Sequence, residues 1–353
     1  MVLLAILVSL VVVTRPSVPY QWDETEVWLY SAQAERQHPG SLVRCFTGEA
    51  EFCEALPFGC MRRYYPIAFP LIVGTLARFL PAGWDISRAA ALFYLGLVGW
   101  LFGALLAFQN QLRVRSAWPV TLVALLMLNP FTLVHLRAGY ADLAVGLGIA
   151  LLNIVYLRWL AGEGSISLRS TAGAALLTTF VFHLKDEAMV AWGIATLCFV
   201  VFYFAQRRAG KALLPYVGGV GAALASFILW KHWVHRSAPW SAVCAEHVIH
   251  GVNWTALKIV PYYAALHALE PNTWGLLWPL VFGLIWFRGA AHVRLFLLLG
   301  FGYLGAVYML GPSLQMAYLK NGTNLNRLLL QILIGSIPLW FAVNWQMTRR
   351  QSV

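Results

Sequence analysis

Four groups of polar residues in this 353-residue chain have the types and spacing to do chemistry. The first is Gln21-Trp22-Asp23-Glu24-Thr25-Glu26-Val27-Trp28-Leu29-Tyr30. Neighbouring carboxylates among Trp and Tyr raise one another's pKa through like-charge repulsion and partial loss of solvent, which suits a general base or a cation site. The same string also fits an amphipathic interfacial helix with a solvated acidic edge. The second group centres on Asp142, in Arg137-Ala138-Gly139-Tyr140-Ala141-Asp142-Leu143, where one apolar run ends and the next begins. An acid there is either a helix cap or a paired, functional group. The third is His183-Leu184-Lys185-Asp186-Glu187. Lys185 and Asp186 can neutralise each other, leaving Glu187 or His183 free to act. In the fourth, Lys320 and Arg327 flank Asn321-Gly322-Thr323-Asn324-Leu325-Asn326. An Arg about to enter an apolar run needs an anion, for which phosphate is a natural partner, or else snorkels to lipid headgroups.

The elements that must position these residues are membrane helices. The chain is 60% hydrophobic, 14% aromatic and only 11% charged, with a mean hydropathy of +0.68. Soluble domains run at about 45–50% apolar and about 25% charged, so a cytosolic globular protein is excluded, and so is a disordered chain. A helix crosses the hydrocarbon core in about 20 apolar residues. Runs of this kind lie near 88–108, 118–136, 141–158, 188–205, 212–230, 273–287, 295–311 and 328–345, with a shorter one near 171–184. The opening run Met1–Val13 reads as an uncleaved first helix. The expected fold is an all-α polytopic bundle of about ten spans, forming one membrane domain over residues 1–353.

Charge orients the bundle. Basic loops at Arg113/Arg115, Arg158/Arg169, Arg207/Arg208/Lys211 and Arg288/Arg294, with the tail Arg349/Arg350, fall on one side only if the stretch 64–80 does not cross. That stretch carries Pro66, Pro70, Gly74 and Arg78, as an interfacial or re-entrant helix would. Both termini are then cytoplasmic by the positive-inside rule. Thirteen of the fourteen acids fall outside, leaving only Glu163 within the cytoplasmic set. The net charge of +11 becomes a topology signal that calls for no nucleic-acid partner. The two sizeable outer segments are 14–87 and 231–272. Acids at helix ends, facing the same water as candidate phosphate-binding cations, point to a lipid-phosphate substrate worked on outside.

Cys45, Cys53, Cys60 and Cys244 fall outside, where disulfides form, while Cys198 lies in a span. The four outer cysteines allow three connectivities, and they read as scaffold. His232-x-x-His235 and His247-x-x-His250 have a spacing that can share a metal, but neither is a metalloprotease motif, and a structural reading is preferred. The many Trp residues fit an aromatic belt.

In order along the chain come a first span, Trp22-Asp23-Glu24, Arg63-Tyr64-Tyr65-Pro66-Ile67-Ala68-Phe69-Pro70, Gly139-Tyr140-Ala141-Asp142-Leu143, Leu184-Lys185-Asp186-Glu187-Ala188, and Asn326-Arg327 through Gln331 to Pro338. This ordered set resembles the GT-C superfamily of integral-membrane glycosyltransferases, in the protein mannosyltransferase-like and aminoarabinose-transferase-like branch. The resemblance implies an inverting transfer of a sugar from a polyprenyl-phosphate donor to a lipid, glycan or protein acceptor, on the extracytoplasmic face of the plasma (inner) membrane. It assigns Asp23, with Glu24 beside it, to acceptor activation or to a divalent metal, and Asp142 to the later acid. Lys185, Arg327 and Lys320 become phosphate ligands, with Glu187, His183 and Tyr65 as further candidates. Asp186 departs from the family's usual uncharged residue, and the soluble C-terminal domain of many relatives is lacking. The rival expectations are a transporter of polyprenyl-linked lipids or small molecules, and a non-catalytic membrane assembly protein.

The orientation has a direct test. Single cysteines introduced as Arg78→Cys and Arg113→Cys should label from opposite faces of the membrane. Labelling from one face overturns the non-crossing reading of 64–80.

Overall fold

A computed structural model describes residues 23–42, 44, 67–81, 83–111, 121, 129–161, 166–206, 210–237, 252–288, 291–310, 319 and 322–351. Every regular element among them is helical: α1 (Asp23–Gln37), α2 (Ala68–Arg78), α3 (Ile86–Gln111), α4 (Pro130–Ala138), α5 (Ala141–Ala161), α6 (Leu168–Phe182), α7 (Ala188–Ala205), α8 (Leu214–Ser237), α9 (Trp254–Ala268), α10 (Pro271–Trp274), α11 (Leu277–Arg288), α12 (Ala291–Leu310) and α13 (Thr323–Gln351), with a 3-10 turn at Gly210–Leu213. The all-α expectation holds for the described residues.

Among the described residues, four stretches are long and apolar enough to cross a membrane: Ile86–Gln111, Ala141–Ala161, Ala188–Ala205 and Leu214–His232. Their outer surfaces are what a lipid solvent requires. Val190, Leu197, Val201 and Phe204 on α7, and Leu214, Val217, Leu224, Ile228 and Leu229 on α8, are all exposed, an apolar area that a water-soluble monomer does not display. Shorter apolar helices cover Ala68–Arg78, Leu168–Phe182, Val293–Met309 and Leu325–Leu339. The run expected at 273–287 is broken at Gly275 into α10 and α11. At 11 residues α2 rises about 16 Å, too little to cross the hydrocarbon core.

The centre of the bundle is α5, which is apolar on all sides and buried over nearly its whole length, as a helix enclosed by others must be. It packs most extensively on α13 and also on α3, α7 and α6. Within this packing the Asn153 amide donates to the Gly335 carbonyl at 2.8 Å, and the Tyr156 hydroxyl bonds the hydroxyls of Tyr216 and Thr196. These bonds satisfy polar side chains inside an apolar interior, where leaving them unpaired is costly.

Helices α1 and α2 pack together as a unit. α1 packs on α2, and both pack on α3, through Trp28 edge-on to Phe69 and Phe69 stacked on Tyr94. Glu35 is buried and closes the end of α1 by accepting from the amides of Gly40 at 2.8 Å and Leu42 at 3.3 Å. Its role is therefore structural. Besides its packing on α3, two contacts tie this unit to the turns that bear Asp142 and Lys185. Leu29 of α1 lies against Gly139, the turn between α4 and α5. The Ala68 amide at the start of α2 donates to the His183 carbonyl, in the turn between α6 and α7, at 3.0 Å.

Gly139 has φ +71°, and a Cβ there would stand 2.4 Å from Leu29 Cδ2. Gly139→Ala should therefore lower stability by about 1–3 kcal/mol through left-handed strain and overpacking. Gly96→Ala, in helix α3 with open space around it, should be neutral. Equal melting temperatures for the two variants in detergent would refute the tight seat of α1 on the α4–α5 turn.

Candidate functional site

The turn that carries Asp142 is fixed at both ends by local chemistry. Asn129 caps α4 by accepting from the amides of Phe131 at 3.0 Å and Thr132 at 3.2 Å, and Pro130 starts the helix. Gly139 ends α4 in the left-handed conformation. Tyr140 follows, its carbonyl accepting from the Tyr94 hydroxyl of α3 at 2.6 Å. α5 then begins, with Asp142 in its first turn, where the helix dipole favours a negative charge.

Asp142 is fully buried, and its carboxylate is spoken for on both oxygens. The Lys185 ammonium donates to Oδ1 at 3.1 Å and to Oδ2 at 3.3 Å. The Gln331 side-chain amide also donates to Oδ1. Asp142 is thus an anchoring group, with its oxygens directed at side chains instead of capping its own helix. Lys185 is itself only 4% exposed, so its charge is matched inside the protein. A second acid, Glu187, has Oε1 at 3.7 Å from the same ammonium. Burial pushes the Glu187 carboxyl above the usual range, and Lys185 draws it part of the way back. The Tyr303 hydroxyl of α12 donates to the Glu187 backbone carbonyl at 3.4 Å.

Arg327 sits one helical turn before Gln331 on α13, so both reach the same end of α5. Its guanidinium lies over the Tyr140 ring, 5.4 Å from the centroid, an arrangement that favours the cation. The Tyr140 ring in turn faces His135 at 5.0 Å, and His135 faces Phe131 at 4.3 Å. His135 is buried, and its Nδ1–H donates to the Phe131 carbonyl at 2.9 Å.

Of the residues singled out in the sequence, Asp142, Lys185 and Glu187 meet directly, and Arg327 stands beside them on Tyr140. Asp23 and Glu24 open helix α1. Leu29, six residues on and about 9 Å along that helix, is the one that touches Gly139. The side chains of Asp23 and Glu24, together with Tyr65, Lys320 and the four outer cysteines, lie outside the described residues. The expected Lys185–Asp186 pair does not form. Lys185 turns inward to Asp142, whereas Asp186 turns outward to Lys231 of α8 at 2.7 Å. A buried ammonium takes the partner that is buried with it, and Asp186 stays at the wet surface. His183 also faces α8, bonding the Ser226 hydroxyl at 3.2 Å. Burial, and then Lys231, lower its pKa. Gln331 and His135 carried no signal as chemical residues: a Gln and a His inside apolar runs gain meaning only once Asp142 is beside them.

Among the described residues no group of three His, Cys, Asp or Glu side chains could hold a metal ion. At Asp142 the fit is poor on chemical grounds, because an ammonium and an amide already occupy the positions that a divalent cation would take. Cys198 is a buried free thiol in α7. Comparison of the chain with protein-family models, with curated proteins and with solved structures finds no significant match.

The ion pair makes a stability prediction. Lys185→Met strands the Asp142 charge in the interior and should cost about 3–5 kcal/mol, whereas Lys185→Met combined with Asp142→Leu should recover much of the loss. Asp186→Asn removes only a surface pair and should change stability by less than about 1 kcal/mol. Thermal melts in detergent measure all three. Equal losses for Lys185→Met and Asp186→Asn would show that the buried pair is not a structural anchor.

Proposed function

We propose that this chain is a membrane glycosyltransferase of the GT-C type. It moves a sugar from a polyprenyl-phosphate donor to a lipid, glycan or protein acceptor, with inversion, on the extracytoplasmic side of a cell-envelope membrane. The observation that carries this reading is one of placement. The first-loop helices α1 and α2 are seated on the two turns that bear Asp142 and Lys185, and Arg327 reaches the first of those turns from the last helix. Five chain regions resembling the family's motifs, and spread over some 300 residues, therefore meet at one end of the bundle.

The proposed chemistry needs a base for the acceptor and positive charge for the leaving phosphate. Asp23, at the head of α1, takes the proton from the acceptor hydroxyl, with Glu24 beside it. The acceptor oxygen bonds to the anomeric carbon as the bond from that carbon to the phosphate oxygen breaks. The electron pair leaves with the polyprenyl phosphate, whose charge Arg327 and Lys320 receive. Phosphate is a good leaving group, so no acid is required there. Asp142 holds Lys185 at the edge of this site.

A transporter would place ionisable side chains along the bilayer midplane. The only ionisable acid and base of α5 lie at its two ends, Asp142 and Arg158, which favours the enzyme. In this reading both termini are cytoplasmic and the chain crosses the membrane about ten times.

The test is sugar transfer by purified protein in nanodiscs, supplied with polyprenyl-phosphate sugars as donors. Asp23→Asn should reduce turnover by at least about 100-fold and leave the melting temperature unchanged. Undiminished transfer by the variant would remove Asp23 from the catalytic role, and a wild-type protein with no transfer from any such donor would sink the whole assignment.

A further inference from the structure

Gly322 leads into α13, which carries Arg327 to Tyr140, and this start of the helix is held from outside. His267, near the end of α9, is buried, and its Nε2–H donates to the Leu319 carbonyl at 3.2 Å. The other ring nitrogen, Nδ1, faces Glu270 Oε2 at 3.7 Å. The imidazole edge bearing Cε1 and Nδ1 lies close against Gly322, where a Cβ would stand 2.6 Å from both atoms and where φ is +70°. No other residue type fits that turn with His267 in place. One helical turn on, the Trp274 indole N–H of α10 donates to Asn326 Oδ1 at 3.2 Å, and the Asn326 backbone N–H donates to the Gly322 carbonyl at 2.8 Å. The corner between α9 and α10 is itself tied to α4, because the Asn129 amide donates to the Thr273 carbonyl at 3.2 Å. Trp274 packs on Phe131, which packs on His135, which faces Tyr140. Both sides of the Arg327–Tyr140 contact are therefore braced by one corner.

We infer that His267 and Trp274 are positioning residues that aim Arg327 at the phosphate of a polyprenyl-phosphate ligand. This rests on the proposed role of Arg327, and the geometry extends it in a specific way. The α9–α10 corner is a rigid bracket, and its two donated hydrogen bonds fix where the guanidinium stands. Loss of one such bond should weaken phosphate capture, leaving the bundle intact.

The probe is undecaprenyl phosphate, titrated into purified full-length protein in nanodiscs, with melting temperature measured in parallel without the lipid. Arg327→Gln should weaken binding by about tenfold or more, the worth of a charge-assisted contact. His267→Phe keeps a flat ring against Gly322 but loses the donor, and Trp274→Phe keeps the packing on Phe131 but loses the indole N–H. Each should weaken binding by about two- to tenfold, the worth of one hydrogen bond, with the lipid-free melting temperature unchanged. His267→Gln carries an amide that can replace the Nε2–H donor and should restore binding to near the wild-type level. In the transfer assay the same variants should raise KM for the donor more than they lower kcat. If Arg327→Gln weakens binding and both His267→Phe and Trp274→Phe bind normally, the bracket is refuted and the role of Arg327 survives. If Arg327→Gln binds normally, the phosphate role and the bracket fall together. A loss of binding in His267→Phe that tracks a lowered melting temperature and is not rescued by His267→Gln would overturn positioning in favour of a merely structural role.

Discussion

A carboxylate placed entirely inside an apolar bundle must be matched, and the matching of Asp142 organises this protein. Isolated, the charge would cost several kcal/mol in lost hydration. Lys185 answers it with two contacts, Gln331 adds an amide, and the head of α5 supplies its dipole. Each partner comes from a different part of the chain. The α6–α7 turn must bend inward to deliver Lys185, and α13 must lie along α5 in one register to deliver Gln331. That register then sets where Arg327 stands. A pair of this kind adds little net stability compared with apolar packing, yet it discriminates strongly against helix arrangements that leave either charge unmatched.

The first-loop helices depend on the same turns. They meet those turns through a Leu against a Gly at one and a backbone hydrogen bond at the other. These are short-range contacts that need the turns rigid. Asn129, Gly139 and the Tyr94 hydroxyl make the first turn rigid by satisfying its backbone groups, so the position of α1 follows from capping chemistry in elements more than 50 residues away.

Much of this could be read in the sequence, for identifiable reasons. Helical class and membrane character follow from composition, and runs such as 88–108 and 188–205 coincide with α3 and α7 because nothing in them breaks a helix. The importance of Asp142, Lys185 and Glu187 was legible because charge at the end of an apolar helix is expensive. Their partners were not. The sequence neighbours Lys185 and Asp186 look like a pair, but burial separates them, and only the packed structure tells which charge goes inside. Gln331 and His135 stayed silent because a polar residue in an apolar run takes its meaning from what lies across the helix interface. The break at Gly275 escaped because apolar composition continues through it while the helix does not.

The separation in sequence between Asp142 and Gln331 also bears on biogenesis. Asp142 and Lys185 lie 43 residues apart, whereas Gln331 lies 189 residues beyond Asp142. In a chain inserted from its N-terminus, the ion pair can close early, but its amide partner and Arg327 arrive only with the final helix. A chain interrupted before α13 would hold the carboxylate with one partner fewer and expose the long apolar flank of α5 on which α13 packs. Until α13 arrives, the bundle therefore lacks both the amide partner of its buried carboxylate and the apolar cover of its central helix.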